Sequence, residues 1–319
     1  MNARITIYVV AFVAIGLTLA QDLRPGLDFY HTWQYAAMSG IAILLMASYA
    51  WSARTGADGA SGKRVAIAMV GALTIAVAGF LSGLIGPDTV TVSGSPGTVT
   101  PIPDLRAAAF FGQADPATIA HGDAVVDLRK KNSVPIVVPA GKHLYLGTSI
   151  VSLGARPAAY ISARDLRGNH LTVTQPTNGT FLSPVLLFPN KQPIRDKVYP
   201  LDTFATPALH RIARVLYFTA DDAATFNHLG SKQPALVISV NADSGKTVGL
   251  TIAPSDREVT VGDLRITATI GTYPEISIAS APHPLALAIG LLMFLGGSLA
   301  ALNTARRSQI ESVPASPQA

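Results

Sequence analysis

Residues 276–297 read ISIASAPHPLALAIGLLMFLGG. Apolar and small polar residues alternate from Ile276 to Ser280. His283 then stands between Pro282 and Pro284, and an uncharged apolar run follows to Asn303. A period of two that gives way to about 20 apolar residues marks the exit from a β region into a membrane-spanning helix. Pro284 suits the first helical position, where no amide hydrogen is needed.

Three more runs of this kind lie near the N-terminus: 5–20 (ITIYVVAFVAIGLTLA), 34–51 and 65–86. Trp33, Tyr35, Tyr49 and Trp51 bracket the second, as interfacial anchors do. The first also has the look of a secretory signal, with Arg4 ahead of the apolar stretch and TLA before Gln21. Either reading puts residue 21 on the same side of the membrane. Gly79 and Gly83 are spaced as G-x-x-x-G, and Ala286, Gly290, Gly296 and Gly297 punctuate the last run, so the helices are expected to pack closely.

Composition agrees with this layout. Of the 319 residues, 49% are hydrophobic and 13% charged, against about 25% charged in soluble domains. The net charge is +5, yet the densest basic run is RKK at 129–131, which is no nucleic-acid footprint. Cysteine is absent, which excludes disulfides, thiol redox chemistry and thiolate-held metal clusters within this chain.

Basic residues fix the expected orientation. Arg4, Arg54, Lys63, Arg64, Arg306 and Arg307 fall on one side, and only Arg24 falls in the short loop of the other, 21–33. Both termini and the 52–64 loop are therefore expected in the cytoplasm, with 87–283 outside. The fold expected is a multi-pass protein of the inner (cytoplasmic) membrane. Its four transmembrane α-helices comprise three in 1–86 and a fourth at 284–303, with 304–319 as a cytoplasmic tail. A large extracytoplasmic all-β, sandwich-like domain, 87–283, is inserted between helices three and four.

Within 87–283, about ten short runs rich in Val, Ile and Thr read as strands. KHLYLGTSIVSL (142–153) reads as one strand, and LRITATI (264–270) and PEISIA (274–279) as two. TPALHRIARVLY (206–217) and DDAATFN (221–227) read as short helices. The charges here nearly cancel, 17 basic against 15 acidic.

Catalytic patterns are scarce. DSGKT (243–247) ends like a phosphate loop, but Val240 stands where the earlier glycine belongs, so no nucleotide partner is expected. His121, His143, His170, His210 and His228 are scattered, and NGT at 178–180 formally matches a glycan acceptor. One pair stands apart. His31, in DFYHTWQY, precedes the second helix, and His283 precedes the fourth, so both are expected at the outer interface. Two imidazoles at one depth could ligate a haem iron axially; each could equally be an amphipathic residue with its tip among the headgroups.

Residues 261–302, VGDLRITATIGTYPEISIASAPHPLALAIGLLMFLGGSLAAL, and the layout as a whole resemble cytochrome c biogenesis proteins of the ResB type. The shared pattern is a strand, an aromatic, another strand, a proline and a glycine-containing terminal helix. His283-Pro284 stands where that family commonly has Asp-Pro. The resemblance implies a non-enzymatic assembly factor handling haem or apocytochrome at the outer face, beside a ResC-type partner. The alternative is a structural or accessory subunit of a membrane complex, with the β domain as its docking surface. No membrane run contains a histidine, the place where the family's haem ligands are expected.

Overall fold

The computed structural model describes residues 3–24, 29–55, 59–130, 133–175, 184–226 and 233–311. The chain opens with helices α1 (Ala3–Leu23), α2 (Trp33–Thr55) and α3 (Gly59–Ile85), then strands β1 (Val90–Val92), β2 (Val99–Ile102) and β3 (Ala107–Phe111). A short helix α4 (Pro116–His121) precedes β4 (Val126–Lys130), β5 (Ile136–Val137), β6 (His143–Leu146) and the long β7 (Ser149–Asp165). Next come β8 (His170–Leu171), β9 (Val185–Leu186), β10 (Asn190–Ile194), β11 (Lys197–Thr206) and β12 (Arg211–Phe218). Helix α5 (Ala220–Phe226) leads to β13 (Ala235–Ala242), β14 (Thr247–Pro254), β15 (Glu258–Val261), β16 (Leu264–Ser280) and finally α6 (Pro284–Glu311).

Helices α1, α2, α3 and α6 are long and apolar enough to cross a membrane. They run past most ends of the apolar stretches, because backbone hydrogen bonding continues into the flanking polar residues. The chain divides into two compact units. One holds Met1–Thr91, Gly141–Ser152 and Ser277–Ala319; the other holds Val92–Ala140 and Leu153–Ile276.

In the first unit, α3 is the centre of the bundle. Met69, Ala72 and Ile75 are fully buried on it, joined by Ala11 and Ile15 of α1, Met46 of α2, and Leu287 and Phe294 of α6. Contact with α6 depends on glycine. A Cβ on Gly71 would lie 2.4 Å from the Phe294 amide nitrogen and 2.5 Å from the Gly290 carbonyl oxygen. Without a competing solvent to drive helices together, such backbone proximity is what holds them in lipid. The small residues noted in the sequence therefore divide. Gly290 and Gly297 meet α3, Gly79 and Gly83 meet α1, Tyr35 and Tyr30, and Gly296 meets nothing.

The second unit is built from sheets. Residues 153–165 of β7 and 264–276 of β16 lie in one sheet, with β15 paired to β16 and with β8 and β9 paired to β7. Its Ala159, Ile161, Leu264 and Ile266 pack on Val215, Leu236, Ile238 and Val240 of a five-stranded antiparallel sheet, β10-β11-β12-β13-β14. A four-stranded sheet, β2-β3-β4-β5, meets the same long strand, where the Tyr273 hydroxyl donates to the Gly112 carbonyl at 2.6 Å.

Several boundaries differ from the sequence expectation. The stretch at 142–153 is a hairpin of β6 and β7 that turns at Gly147, whose φ of 68° suits glycine. The two runs at 264–270 and 274–279 form one strand, β16, which continues through Pro274. The predicted helix at 206–217 is a single 3₁₀ turn, Pro207–Leu209, followed by β12. Pro207 does open that turn, but Arg211–Phe218 pairs with both β11 and β13, and sheet pairing overrides helix propensity. Helix α4 has no forecast in the sequence reading, while α5 matches the run at 221–227.

The four-stranded and five-stranded sheets repeat one plan. The four-stranded sheet runs strand, 3₁₀ turn, strand, short helix, strand, strand, and the five-stranded sheet does the same after its first strand, β10. Both turns start from residues of similar φ, −124° at Ile102 and −115° at Thr206, with proline next, and both close on a left-handed residue, Arg106 (φ 47°) or His210 (φ 53°). Both left-handed residues donate their amide hydrogen to the proline carbonyl. Without a gap, Asp115 then corresponds to Thr219, and each caps its helix by accepting the amide hydrogen three residues on. Buried Ala109, Phe111 and Ile119 likewise match buried Ala213, Val215 and Ala223.

Gly71→Ala is expected to destabilise the purified protein in lipid by about 1–3 kcal/mol, the scale of overpacking. Gly296→Ala is expected to leave it unchanged. Thermal unfolding in nanodiscs distinguishes the two, and equal effects would contradict the packing described.

Candidate functional site

At one end of the helical bundle the chain leaves α3 through Gly86 and Pro87, and it re-enters α6 after Ser280. His31 joins these two points. It closes a 3₁₀ turn, Phe29–His31, just before α2. Its Nε2 lies 3.0 Å from the Pro87 carbonyl oxygen and 3.0 Å from Ser280 Oγ. The Ser280 hydroxyl itself donates to the Pro87 carbonyl at 2.7 Å. Proline has a carbonyl but no amide hydrogen, and the serine hydrogen is already committed. Both groups therefore accept from the ring, and Nε2 carries the hydrogen. Nδ1 faces Asp88, with Oδ1 3.6 Å away.

An aromatic and polar layer supports His31. Tyr30 is buried, and its hydroxyl donates to the Thr18 carbonyl at 3.0 Å. Its ring packs tilted against Tyr35, at 4.8 Å, and edge-on against Phe29, at 5.4 Å. Burial pushes the Tyr30 phenol well above its ordinary range, so it acts as a donor and not as a base. Gln21, fully buried in α1, accepts the Phe29 amide hydrogen. In the same unit Tyr145 donates to Asp22 at 3.4 Å, and the Ala281 amide donates to the Thr148 carbonyl at 3.0 Å.

His283 has a different job. Its carbonyl accepts from Ala286 and Leu287, and its Nδ1 accepts the Leu285 amide hydrogen at 3.3 Å. It is the N-cap of α6, with Pro284 in the first helical position. A ring nitrogen here does what an Asp, Asn or Ser oxygen does at most helix starts. The sequence places both histidines at helix entries, and that is where the structure has them. His31 is bonded through Nε2 and His283 through Nδ1, so axial ligation of a metal would have to use the other ring nitrogen of each. Among the described residues no group of three or more His, Cys, Asp or Glu could hold a metal ion.

The scattered histidines at 121, 143, 170 and 210 form no cluster, and His228 and the NGT at 178–180 lie outside the described residues. Two buried ionisable residues went unremarked in the sequence. Asp202 accepts three amide hydrogens, from Leu187 (2.8 Å), Phe188 (3.1 Å) and Thr203 (2.8 Å). Burial raises its carboxyl above the ordinary range, and those three donors oppose the shift. Its task is to hold Phe188, which has a left-handed φ of 50°. Arg156 donates to the Gly94 carbonyl at 3.0 Å, and burial lowers its guanidinium from the usual value. Both groups bond to backbone of the same unit, mostly in the connections between strands. Nothing in a single strand's alternation could have paired them.

Replacing His31 with alanine leaves the partly buried Pro87 carbonyl and the buried Ser280 hydroxyl with one partner fewer and is expected to cost about 1–3 kcal/mol. His283→Asp keeps a cap and is expected to hold stability, whereas His283→Ala loses about 0.5–2 kcal/mol. Chemical unfolding of the three variants in one lipid system checks the order. A His31→Ala variant as stable as the parent would contradict the clamp. Comparison of the chain with protein-family models, curated proteins and solved structures finds no match.

Proposed function

We propose that this chain is a non-enzymatic membrane assembly factor of the ResB type. It serves c-type cytochrome maturation on the outer face of the inner (cytoplasmic) membrane. It works by holding a partner, not by ligating haem through His31 and His283. The observation that carries this reading is the cap at His283. Aspartate is among the strongest N-cap residues, so His-Pro in place of the family's Asp-Pro keeps the same physical role at the same helix entry. The departure at that position thus preserves the resemblance across 261–302.

The lysine and arginine asymmetry supports an orientation with both termini in the cytoplasm and the sheets outside. In that orientation the clamp of His31, Pro87 and Ser280 lies at the outer interface, where the chain leaves and re-enters the bilayer. A ResC-type membrane protein is the partner this reading calls for. A second reading is an accessory subunit of a membrane complex, in which His31 and His283 serve to fasten the entries to α2 and α6.

Deleting the gene in its native host and staining membranes for covalent haem separates the readings. An assembly factor predicts loss of haem-stained c-type cytochromes, with the chain substoichiometric to them and His283→Asp restoring maturation. Unchanged cytochromes and stoichiometric co-purification with one complex would overturn it in favour of the accessory subunit.

A further inference from the structure

The repeated plan of the two sheets exposes a difference between them. In the five-stranded sheet the inner face is core, and the outer face is only partly covered. Helix α5 lies over one end, where Tyr199, Phe218, Ala223 and Ala235 form a small cluster. Beyond it, register sets two rows side by side. Leu201, Leu216, Val237 and Ile252 make an apolar row, and Thr203, Arg214, Ser239 and Leu250 make the next. The rows form a continuous trough, seen as adjoining hollows of about 520 and 470 Å³ that share Leu216, Val237 and Leu250. These sizes fall in the range of small-molecule sites.

One end of the trough is apolar and the other polar, with a cation in the polar end. Arg214 donates to the neutral Gln192 amide oxygen at 3.2 Å. Among the described residues no carboxylate is in ion-pair reach of it. The equivalent face of the four-stranded sheet lacks this feature. There Phe110 takes the place of Arg214 and Asp127 that of Ser239, and Arg129 covers the Phe110 ring at 4.2 Å. One copy of the plan thus spends its cation on its own aromatic, and the other leaves a cation facing outward beside an apolar row. The five-stranded copy is also longer, since β12 and β13 each have 8 residues against 5 in β3 and β4.

We propose that this trough binds a single-chain anionic lipid, a fatty acid or lysophospholipid. Its acyl chain would lie along Leu216, Val237 and Ile252, and its head would sit on Arg214. Charge complementarity selects the head, because a guanidinium with only a neutral partner binds a carboxylate or phosphate by charge-assisted, often bidentate hydrogen bonds. The apolar row selects the tail. Recognition here falls to side chains, because the trough lies on the outer face of the sheet, where the backbone is paired between strands. The chain's four membrane-length helices put the trough on a protein that has lipid at hand. This inference is independent of the role in cytochrome maturation.

The test uses full-length protein in nanodiscs of zwitterionic lipid, photolabelled with a diazirine analogue of palmitic acid and mapped by mass spectrometry. Labelling is expected on peptides from β12, β13 and β14, competed by palmitate but poorly by hexadecanol. Arg214→Gln is expected to reduce trough labelling about tenfold, the worth of one charge-assisted contact. Val237→Glu is expected to abolish it. Both positions face away from the core, so unchanged thermal unfolding shows that the variants fold. Labelling confined to the membrane helices, or trough labelling equal in parent and both variants, would overturn the proposal. Displacement by hemin in preference to palmitate would overturn the lipid assignment as well.

Discussion

A single proline carbonyl organises the end of the bundle. Pro87 is the point at which the chain leaves α3, and its carbonyl accepts from both Ser280 and His31. Those two side chains come from the entry to α6 and the entry to α2. Three remote parts of the sequence are thereby held by two short hydrogen bonds around one acceptor. The geometry has little freedom, because Gly86 has no room for a side chain beside Ser280 and the Ser82 carbonyl. In a setting with little water to compete, an acceptor left without its donors is costly. The Tyr30 ring, packed between Phe29 and Tyr35, then fixes the approach of His31. The glycine contact of α3 with α6 follows from the same constraint, since α6 can begin only where Ser280 has been placed.

The helices and the β character of 87–283 were legible because their signals are long and local. Four uncharged stretches of membrane length need no tertiary context, and the runs of Val, Ile and Thr read directly as strands. What escaped depends on partners far away in sequence. Nothing local reveals that β16 passes through Pro274, since a proline in a strand usually marks an end. The segment after Pro207 has a helix-opening proline and good helix formers, yet it is a strand because β11 and β13 lie on either side. For the histidines, position was legible and role was not. Proline on both sides of His283 pointed to a fixed backbone, which is what a cap requires. The partners of His31 at Pro87 and Ser280 are 56 and 249 residues away, beyond any spacing rule.

The repeat within the sheets was also hidden. Pro103 and Pro207, Leu105 and Leu209, and Ala109 and Ala213 coincide, but few other residues do. What persists is burial, turn geometry and capping, the features that specify a fold when side chains drift. The faces turned away from the core were free to diverge. Arg129 over Phe110 closes one, and Arg214 beside Leu216 and Val237 opens the other.

The central claim is that His31 and His283 are fastening groups, His31 through Nε2 and His283 through Nδ1. Solid-state NMR of ¹⁵N-histidine-labelled protein in lipid, at alkaline pH, reads this directly, with His31→Asn and His283→Asp variants to assign the signals. The account predicts that His31 holds its hydrogen on Nε2 in a hydrogen-bonded tautomer, and that His283 accepts at Nδ1. A His31 signal showing the hydrogen on Nδ1, or either signal broadened away by an iron centre that co-purifies with the protein, would contradict it.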